Sequence, residues 1–199
     1  MKDRTAPKKL VLASGSPRRR QLLRQIGRDF EVRESGVDEG LYNGQGPERY
    51  VGNLSEQKAR AVARSYTDAI IIGADTIVVV DGEVLGKPVD RGDASRMLAT
   101  LSGRTHDVYT GITLIDCPSG HIASAVERTA VTFRPLSEEE IDEYVASGSP
   151  MDKAGAYGIQ DDRGAVFVER VEGCFYNVMG LPLSRLYVML RDFQNRTKE

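Results

Sequence analysis

The chain is short of the residues on which many enzyme chemistries rest. It has two cysteines, Cys117 and Cys174, and two histidines, His106 and His121, in 199 residues. Two cysteines without CxxC spacing offer neither a disulfide framework nor a thiolate zinc site, so a reduced, cytoplasmic setting is expected. Two isolated histidines argue against a His-rich zinc centre; a metal here would be Mg²⁺ or Mn²⁺ held by carboxylates and phosphates. No apolar run is long enough to span a membrane, and the opening MKDRTAPKKL has no apolar signal region behind its charges. A net charge of −2 provides no global basic field for nucleic acid. Also missing are the GxxxxGK[ST] phosphate loop, a GxGxxG after a strand, the GxSxG elbow and the HExxH helix. What remains is ordinary globular composition, 40% hydrophobic and 28% charged, at a length that buries a real core.

With no repeat or Pro/Gly-rich linker, the chain reads as a loose tail over residues 1–8 and one domain over 9–199. LVLA, from Leu10, suits a buried strand, and Ser16-Pro17 reads as an N-cap and first helical residue. Leu22, Leu23 and Ile26 then recur at helical spacing, and Gly27 is the stop. A brief strand is expected at Phe30–Val32 and a helix over GPERYVGNLSEQKARAVARSY. AIIIGADTIVVVDGEVLGKP reads as two β-branched runs broken at Gly73-Ala74-Asp75, then an Asp81-Gly82 hairpin. A helix over 91–101, two long strands HDVYTGITLID and ASAVERTAVTF, and a Ser137/Glu140 capping box before EEEIDEYVA follow. A loop SPMDKAGAYGIQDDRG, a strand AVFVERV and a helix LSRLYVMLRDF complete the chain. Helix and strand alternate early and strands neighbour late, so the class is α/β with a mixed sheet.

Two features ask for chemistry. Arg18, Arg19 and Arg20 fall in the first turn of the first helix, where the dipole already presents roughly half a positive charge. An anion would resolve the conflict, and a strand–turn–helix is a common phosphate site in α/β folds; the plain alternative is a solvated charge run. Asp75 sits between two runs that should be buried, so it needs a partner, a metal or a shifted pKa. If Asp81-Gly82 is a two-residue turn, Val80 faces Glu83 and Thr76 faces Lys87, which puts Lys87 within about one residue of Asp75. Asp38 and Glu39 occupy a Gly-flanked turn, and Lys58 lies mid-helix. The DKAGAYGIQ loop combines small residues, which permit close backbone approach, with Lys153 and Gln160 for polar contacts. An amide such as Gln160 can match the imide edge of uracil or thymine.

Together these stretches resemble the Maf family of nucleoside triphosphate pyrophosphatases. The resemblance runs through LASGSPRRRQLL, SEQKARAVA, GADTIVVVDGEVLGKP, LSGRTHDVYTG, PMDKAGAYGIQ and NVMGLPL, in that order. It implies hydrolysis of a nucleoside triphosphate to the monophosphate and pyrophosphate with a divalent cation, Mg²⁺ or Mn²⁺. It also implies an inosine triphosphatase-like (Maf/Ham1) fold, a mixed twisted sheet with flanking helices and two lobes around a cleft, in a homodimer. Position by position, Asp75 takes the catalytic acid–base place, Arg18, Thr76 and Gln160 take places tied to substrate choice, and Asp38, Lys58 and Lys87 are polar cleft residues. On that pattern Arg18 and Arg19, at the helix opened by Ser16, clamp the triphosphate while Arg20 faces solvent. Asp38 and Asp75 hold the metal, Lys58 and Lys87 stabilise the leaving group, and Lys153 and Gln160 meet the nucleotide. DKAGAYGIQ resembles the branch acting on dTTP and UTP rather than on 7-methyl-GTP. The family often has Gly after the glutamine, where this chain has Asp161-Asp162. The alternatives are a nucleotide-sensing regulator of cell division and a phosphatase releasing one phosphate at a time.

Overall fold

Ser16 stands where a chain leaving a strand must start a helix. Its hydroxyl caps the new helix by accepting the Arg19 N–H at 3.4 Å, with Pro17 in the first turn. The strand is β1 (Leu10–Leu12) and the helix α1 (Pro17–Arg24), followed by Gly27 at a φ of 73°. The structure is a computed structural model that describes residues 8–40, 42–160 and 163–196, with side chains to 193. Most of the proposed tail, residues 1–7, therefore lies outside the described residues. Lys8 is anchored, its ammonium 2.5 Å from Asp116.

Further along come β2 (Phe30–Val32), α2 (Pro47–Ala63), β3 (Ala69–Val80), β4 (Glu83–Leu85), α3 (Arg91–Leu101), β5 (Thr105–Cys117) and β6 (Ile122–Phe133). The chain continues with α4 (Glu138–Ala146), β7 (Val168–Glu172), α5 (Phe175–Val178) and α6 (Leu183–Arg196). The strands form one seven-stranded mixed sheet in the order β2-β1-β3-β5-β6-β7, with β4 also paired to β3. β1 runs parallel to β2 and β3, and the remaining pairs are antiparallel. The expected α/β class with a mixed sheet and flanking helices is what the chain adopts.

Several local expectations change. β3 is not broken at Gly73-Ala74-Asp75; its ladder with β5 runs on through Gly73↔Thr113, Ala74↔Ile112 and Asp75↔Gly111. Strand β7 begins at Val168 rather than Ala165, because Gly164–Phe167 form a 3₁₀ turn. The 149–156 stretch of the expected loop is two further 3₁₀ turns, and the short helix α5 is additional. Phe175–Val178 spans four residues, too few for periodicity to mark. Asp161 and Asp162 lie outside the described residues.

The two faces of the sheet are divided by the period of the strand. Val11, Ala13, Ile71, Ile77 and Val79 belong to apolar clusters with Val51, Leu54, Ala59 and Val62 of α2. Leu10, Leu12, Ile70, Ile72, Val78 and Val80 belong to the larger core with Leu22 and Leu23 of α1, Leu98 of α3, Tyr144 of α4 and Leu186 of α6. Asp75 thus takes the α2 side and Thr76 the other. Helix α2 comes unusually close, since a Cβ on Gly73 would lie 2.1 Å from the Ser55 carbonyl oxygen and one on Gly111 2.3 Å from that of Val51. No side chain other than hydrogen fits between helix and sheet there.

Candidate active site

One edge of β3 is shared by two short strands. β1 pairs with it at Ile70–Ile72 and β4 at Val78–Val80, leaving Gly73–Ile77 without a strand partner on that side among the described residues. Where β1 ends, the chain turns away through Ser14-Gly15-Ser16 into α1. A cavity of about 710 Å³ opens here, lined by the Ser14–Arg19 turn, Asp75–Val78, Lys87, Lys153, Tyr157 and Gln160 among others. That volume suits a small-molecule ligand, and its place outside the carboxyl end of a parallel strand is typical of α/β folds.

Asp75 is 4% exposed at the middle of β3, and its partner is Lys58 rather than Lys87. The hairpin register is the expected one, Val80 facing Glu83, but β4 stops at Leu85, so counting cannot be carried outward to Lys87. Lys87 stays exposed on the cavity wall, where its charge lowers the pKa of Glu39. Lys58 comes from the face of α2 that carries Val51, Leu54, Ser55 and Val62, and is 6% exposed. Its ammonium lies 2.6 Å from Asp75 Oδ1 and 2.8 Å from Glu39 Oε1. Two carboxylates thus converge on one buried cation. Burial pushes the Glu39 carboxyl up, but the hydrogen bond and charge of Lys58, with Lys87 and Arg19, outweigh it and hold Glu39 below its ordinary value.

Glu39, not Asp38, is the member of the acidic turn that reaches the cavity wall. Asp38 is exposed, and its Oδ1 accepts the Gly40 N–H at 3.1 Å in an Asx turn. Alternate residues of an extended segment face opposite ways, so the adjacent acids cannot both turn inward. Among the described residues no three His, Cys, Asp or Glu side chains cluster to hold a metal. Glu39 and Asp75 still fit a divalent cation as the protein's share of an oxygen shell, since Mg²⁺ takes much of its shell from phosphate and water.

The arginines divide differently from expectation. Arg19 is a strut: its Nε donates to the Gly180 carbonyl at 2.8 Å, Nη2 to Thr76 Oγ1 at 2.9 Å and Nη1 to Ser14 Oγ at 3.3 Å. Burial lowers its pKa, against the opposing charges of Asp75 and Glu39. Thr76 shares a 2.9 Å hydrogen bond with Thr110, which donates to the Asn177 carbonyl at 3.2 Å. Arg19 and Thr76 line the cavity while tying α1, β3 and the turn after α5 together. Arg18 spans the cavity instead, with Nη1 2.7 Å from Asp152 Oδ2 and Nη2 3.0 Å from the Asp152 carbonyl. Lys153, 8% exposed, donates to the other Asp152 oxygen at 2.8 Å. Arg20 is partly buried rather than wholly in solvent, with Nε lacking a partner among the described residues.

Of the residues singled out from sequence, Ser16, Arg18, Arg19, Lys58, Asp75, Thr76, Lys87, Lys153 and Gln160 all line this cavity, and Asp38 does not. Glu39, Tyr50, Asp152 and Tyr157 line it too. Of these Glu39 carried a signal as Asp38's neighbour, and Asp152 and Tyr157 as members of the DKAGAYGIQ loop, though not as individual residues. Tyr50 reads as an ordinary helix-face residue, yet its hydroxyl donates to the carbonyls of Glu39 and Gly40 at 3.1 and 3.3 Å.

Known proteins resemble this chain along most of its length. The family described as Maf-like protein matches residues 9–193. The dTTP/UTP pyrophosphatase of Moorella thermoacetica is 52% identical over 185 residues, covering 93% of this chain and 95% of that one. The protein of the same name from Salinibacter ruber is 53% identical over 182 residues, covering 92% and 89%. That from Pelotomaculum thermopropionicum is 51% identical over 186 residues, covering 94% and 97%. Among solved structures, the Staphylococcus aureus Ham1 protein overlays 63% of this chain and 72% of its own at 15% identity, with a TM-score of 0.45.

Proposed function

The chain belongs to the Maf family, and from that membership we infer that it is a nucleoside triphosphate pyrophosphatase hydrolysing dTTP and UTP to the monophosphate and pyrophosphate. The observation that carries the reading is the buried Asp75–Lys58 pair, with the exposed Glu39 carboxylate on the same ammonium, on the wall of a cavity that Arg18, Lys87 and Lys153 make attractive to a polyphosphate. A site that only sensed a nucleotide has no need of a desolvated carboxylate at its centre.

Each residue then has a physical role. Asp75, held by Lys58 in one orientation, aligns a water and takes its proton for in-line attack at the α-phosphorus. Lys58 and Lys87 oppose the charge that gathers on the departing pyrophosphate. Glu39 and Asp75 are the residues that would hold a divalent cation together with the phosphates, and such an ion would supply further charge neutralisation. Arg19 acts indirectly, by holding Thr76 and the start of α1 in place. Gln160 pairs with the imide edge of the base, a contact that does not read the 5-methyl group and so admits thymine and uracil alike.

Product analysis tests the reaction: dTTP and UTP with Mg²⁺ should give monophosphate and pyrophosphate in equal amounts. Release of single phosphates, or tight binding without turnover, would overturn it in favour of a phosphatase or a sensor. Gln160→Ala should lower kcat/KM for UTP and dTTP by about tenfold, the equivalent of about 1.4 kcal/mol, and change a purine triphosphate less. An equal loss on all substrates would remove Gln160 from base recognition.

Arg18 yields another expectation. Held by Asp152, it must exchange that carboxylate for phosphate when substrate enters. Asp152→Asn should therefore lower KM for UTP by a few-fold, since it frees the guanidinium and removes negative charge beside a polyanion. Stability should fall modestly, because the Arg18 pair is partly exposed and the buried Lys153 ammonium keeps its bond to the Ser149 carbonyl at 2.5 Å when it loses the Asp152 charge. A raised KM would instead make Asp152 part of the binding surface.

A further inference from the structure

His106 lies behind the cavity wall, outside the set of residues that line it. It is 2% exposed on β5, and its Nε2 is 2.8 Å from the hydroxyl of Tyr157, which does line the cavity. The two rings and that of Phe133 meet edge to face, with centroids 5.0 Å (His106–Phe133), 5.3 Å (His106–Tyr157) and 4.7 Å (Phe133–Tyr157) apart. Burial pushes the His106 pKa down to about 4, against a smaller opposing effect of Asp107, so the ring is neutral near pH 7. A neutral imidazole has one donor and one acceptor. Its Nδ1 has no partner among the described residues, so the hydrogen bond to Tyr157 is the polar contact that holds this ring.

The segment on the far side of that bond is under strain. Ala156, directly before Tyr157, has a φ of +61°, in the left-handed region that a residue with a Cβ rarely adopts. Gly155, before it, also has a positive φ of 67° and presses on Val78, where a Cβ would lie 2.9 Å from the valine side chain. Such a conformation persists only where the surroundings over-determine it. Here the surroundings include the Gly155 N–H on the Gly86 carbonyl at 2.9 Å, Tyr157 on His106, and the Gly158 N–H on the Tyr144 hydroxyl at 3.3 Å. Lys153 and Gln160 stand at the two ends of this segment, both on the cavity wall.

Resting on the pyrophosphatase reading, we propose that His106 is a positioning residue for nucleotide recognition: through Tyr157 it holds the 153–160 segment in its strained form and so places Lys153 and Gln160. It touches no substrate, and Asp75 and Lys58 sit on other elements. Its loss should therefore be felt in binding rather than in the chemical step.

Steady-state kinetics with UTP and dTTP test this in His106→Phe, which keeps an aromatic ring, and in Tyr157→Phe, which removes one oxygen. Each should raise KM about tenfold with kcat changed less than about threefold, the double variant should be no worse than either single one, and His106→Gln should restore much of the loss. Amide hydrogen exchange over 153–160, which needs no substrate, should accelerate in both single variants. Unchanged exchange in this segment would overturn the proposal, as would a fall in kcat with KM unmoved, or additive effects in the double variant. Should His106→Phe not fold, Tyr157→Phe carries the same comparison. If the unaltered protein turns over neither nucleotide, the pyrophosphatase reading fails, while the exchange experiment still decides whether His106 holds the segment.

Discussion

Asp75→Asn should reduce turnover of UTP and dTTP by about a thousandfold, within the usual contribution of a general base, while the protein stays folded. Asparagine has the shape of aspartate and fits the same place on β3, but it carries no charge to orient a water and no basicity to accept its proton. The Lys58 ammonium loses one of its two carboxylates and keeps Glu39 at 2.8 Å. Removing one partner of a buried ion pair commonly costs about 3–5 kcal/mol. The second carboxylate should hold the cost below that range, as a modest fall in melting temperature. Pyrophosphate release and a thermal melt on the same sample separate the two effects. Less than a tenfold loss in kcat would move the catalytic role away from Asp75. A thousandfold loss in a sample that no longer melts cooperatively would say nothing of chemistry, and Asp75→Glu would then be the variant to read.

Gly73→Ala is the second large effect, and it acts on packing. The added methyl would lie 2.1 Å from the Ser55 carbonyl oxygen and 2.9 Å from the Ala59 nitrogen. The nearest of these atoms are backbone, so no side-chain rotation relieves the contact, and α2 must lift from the sheet. Overpacking of this kind typically costs about 1–3 kcal/mol, and a helix pinned at two glycines should fall at or above the upper end. Lys58 is carried on the same face as Ser55, so it should withdraw from Asp75 and activity should fall along with stability. Gly92→Ala is the matched control, since its Cβ meets only Asp90 Oδ1 at 3.4 Å at the start of α3. Alanine there should be neutral or stabilising by about 0.5–1 kcal/mol. Urea denaturation of both variants checks the pair. A loss under about 1 kcal/mol at Gly73 would mean that α2 is not fixed by this contact.

Much of this molecule is legible locally. Ser16-Pro17 opens α1, the Ser137–Glu140 box opens α4 with both reciprocal hydrogen bonds made, and Asp81-Gly82 turns the hairpin. Asp75 is recognisable as a carboxylate that needs a partner because the residues around it are apolar. Its partner is not recognisable. Counting along a hairpin leads to Lys87, whereas the cation that arrives is Lys58, 17 residues earlier on a helix crossing the other side of the strand. The same blindness hides the bonds from Arg19 to Gly180, Thr76 and Ser14, and the fact that Glu39 rather than Asp38 lines the cavity.

The amino-acid sequence alone determines what short-range forces determine: where helices start and stop, which strands alternate, and which charge is out of place among apolar neighbours. Those choices rest on hydrogen bonds and side-chain periods spanning four or five residues. Tertiary structure decides who meets Asp75, because that depends on α2 lying flat on two glycines, Gly73 and Gly111, that are neighbours only across β3 and β5. It also decides where the cavity opens, since β1 and β4 share one edge of β3 and leave the stretch between them bare. Both outcomes depend on contacts between residues far apart in the chain, where a shift of one residue in a strand exchanges the two faces.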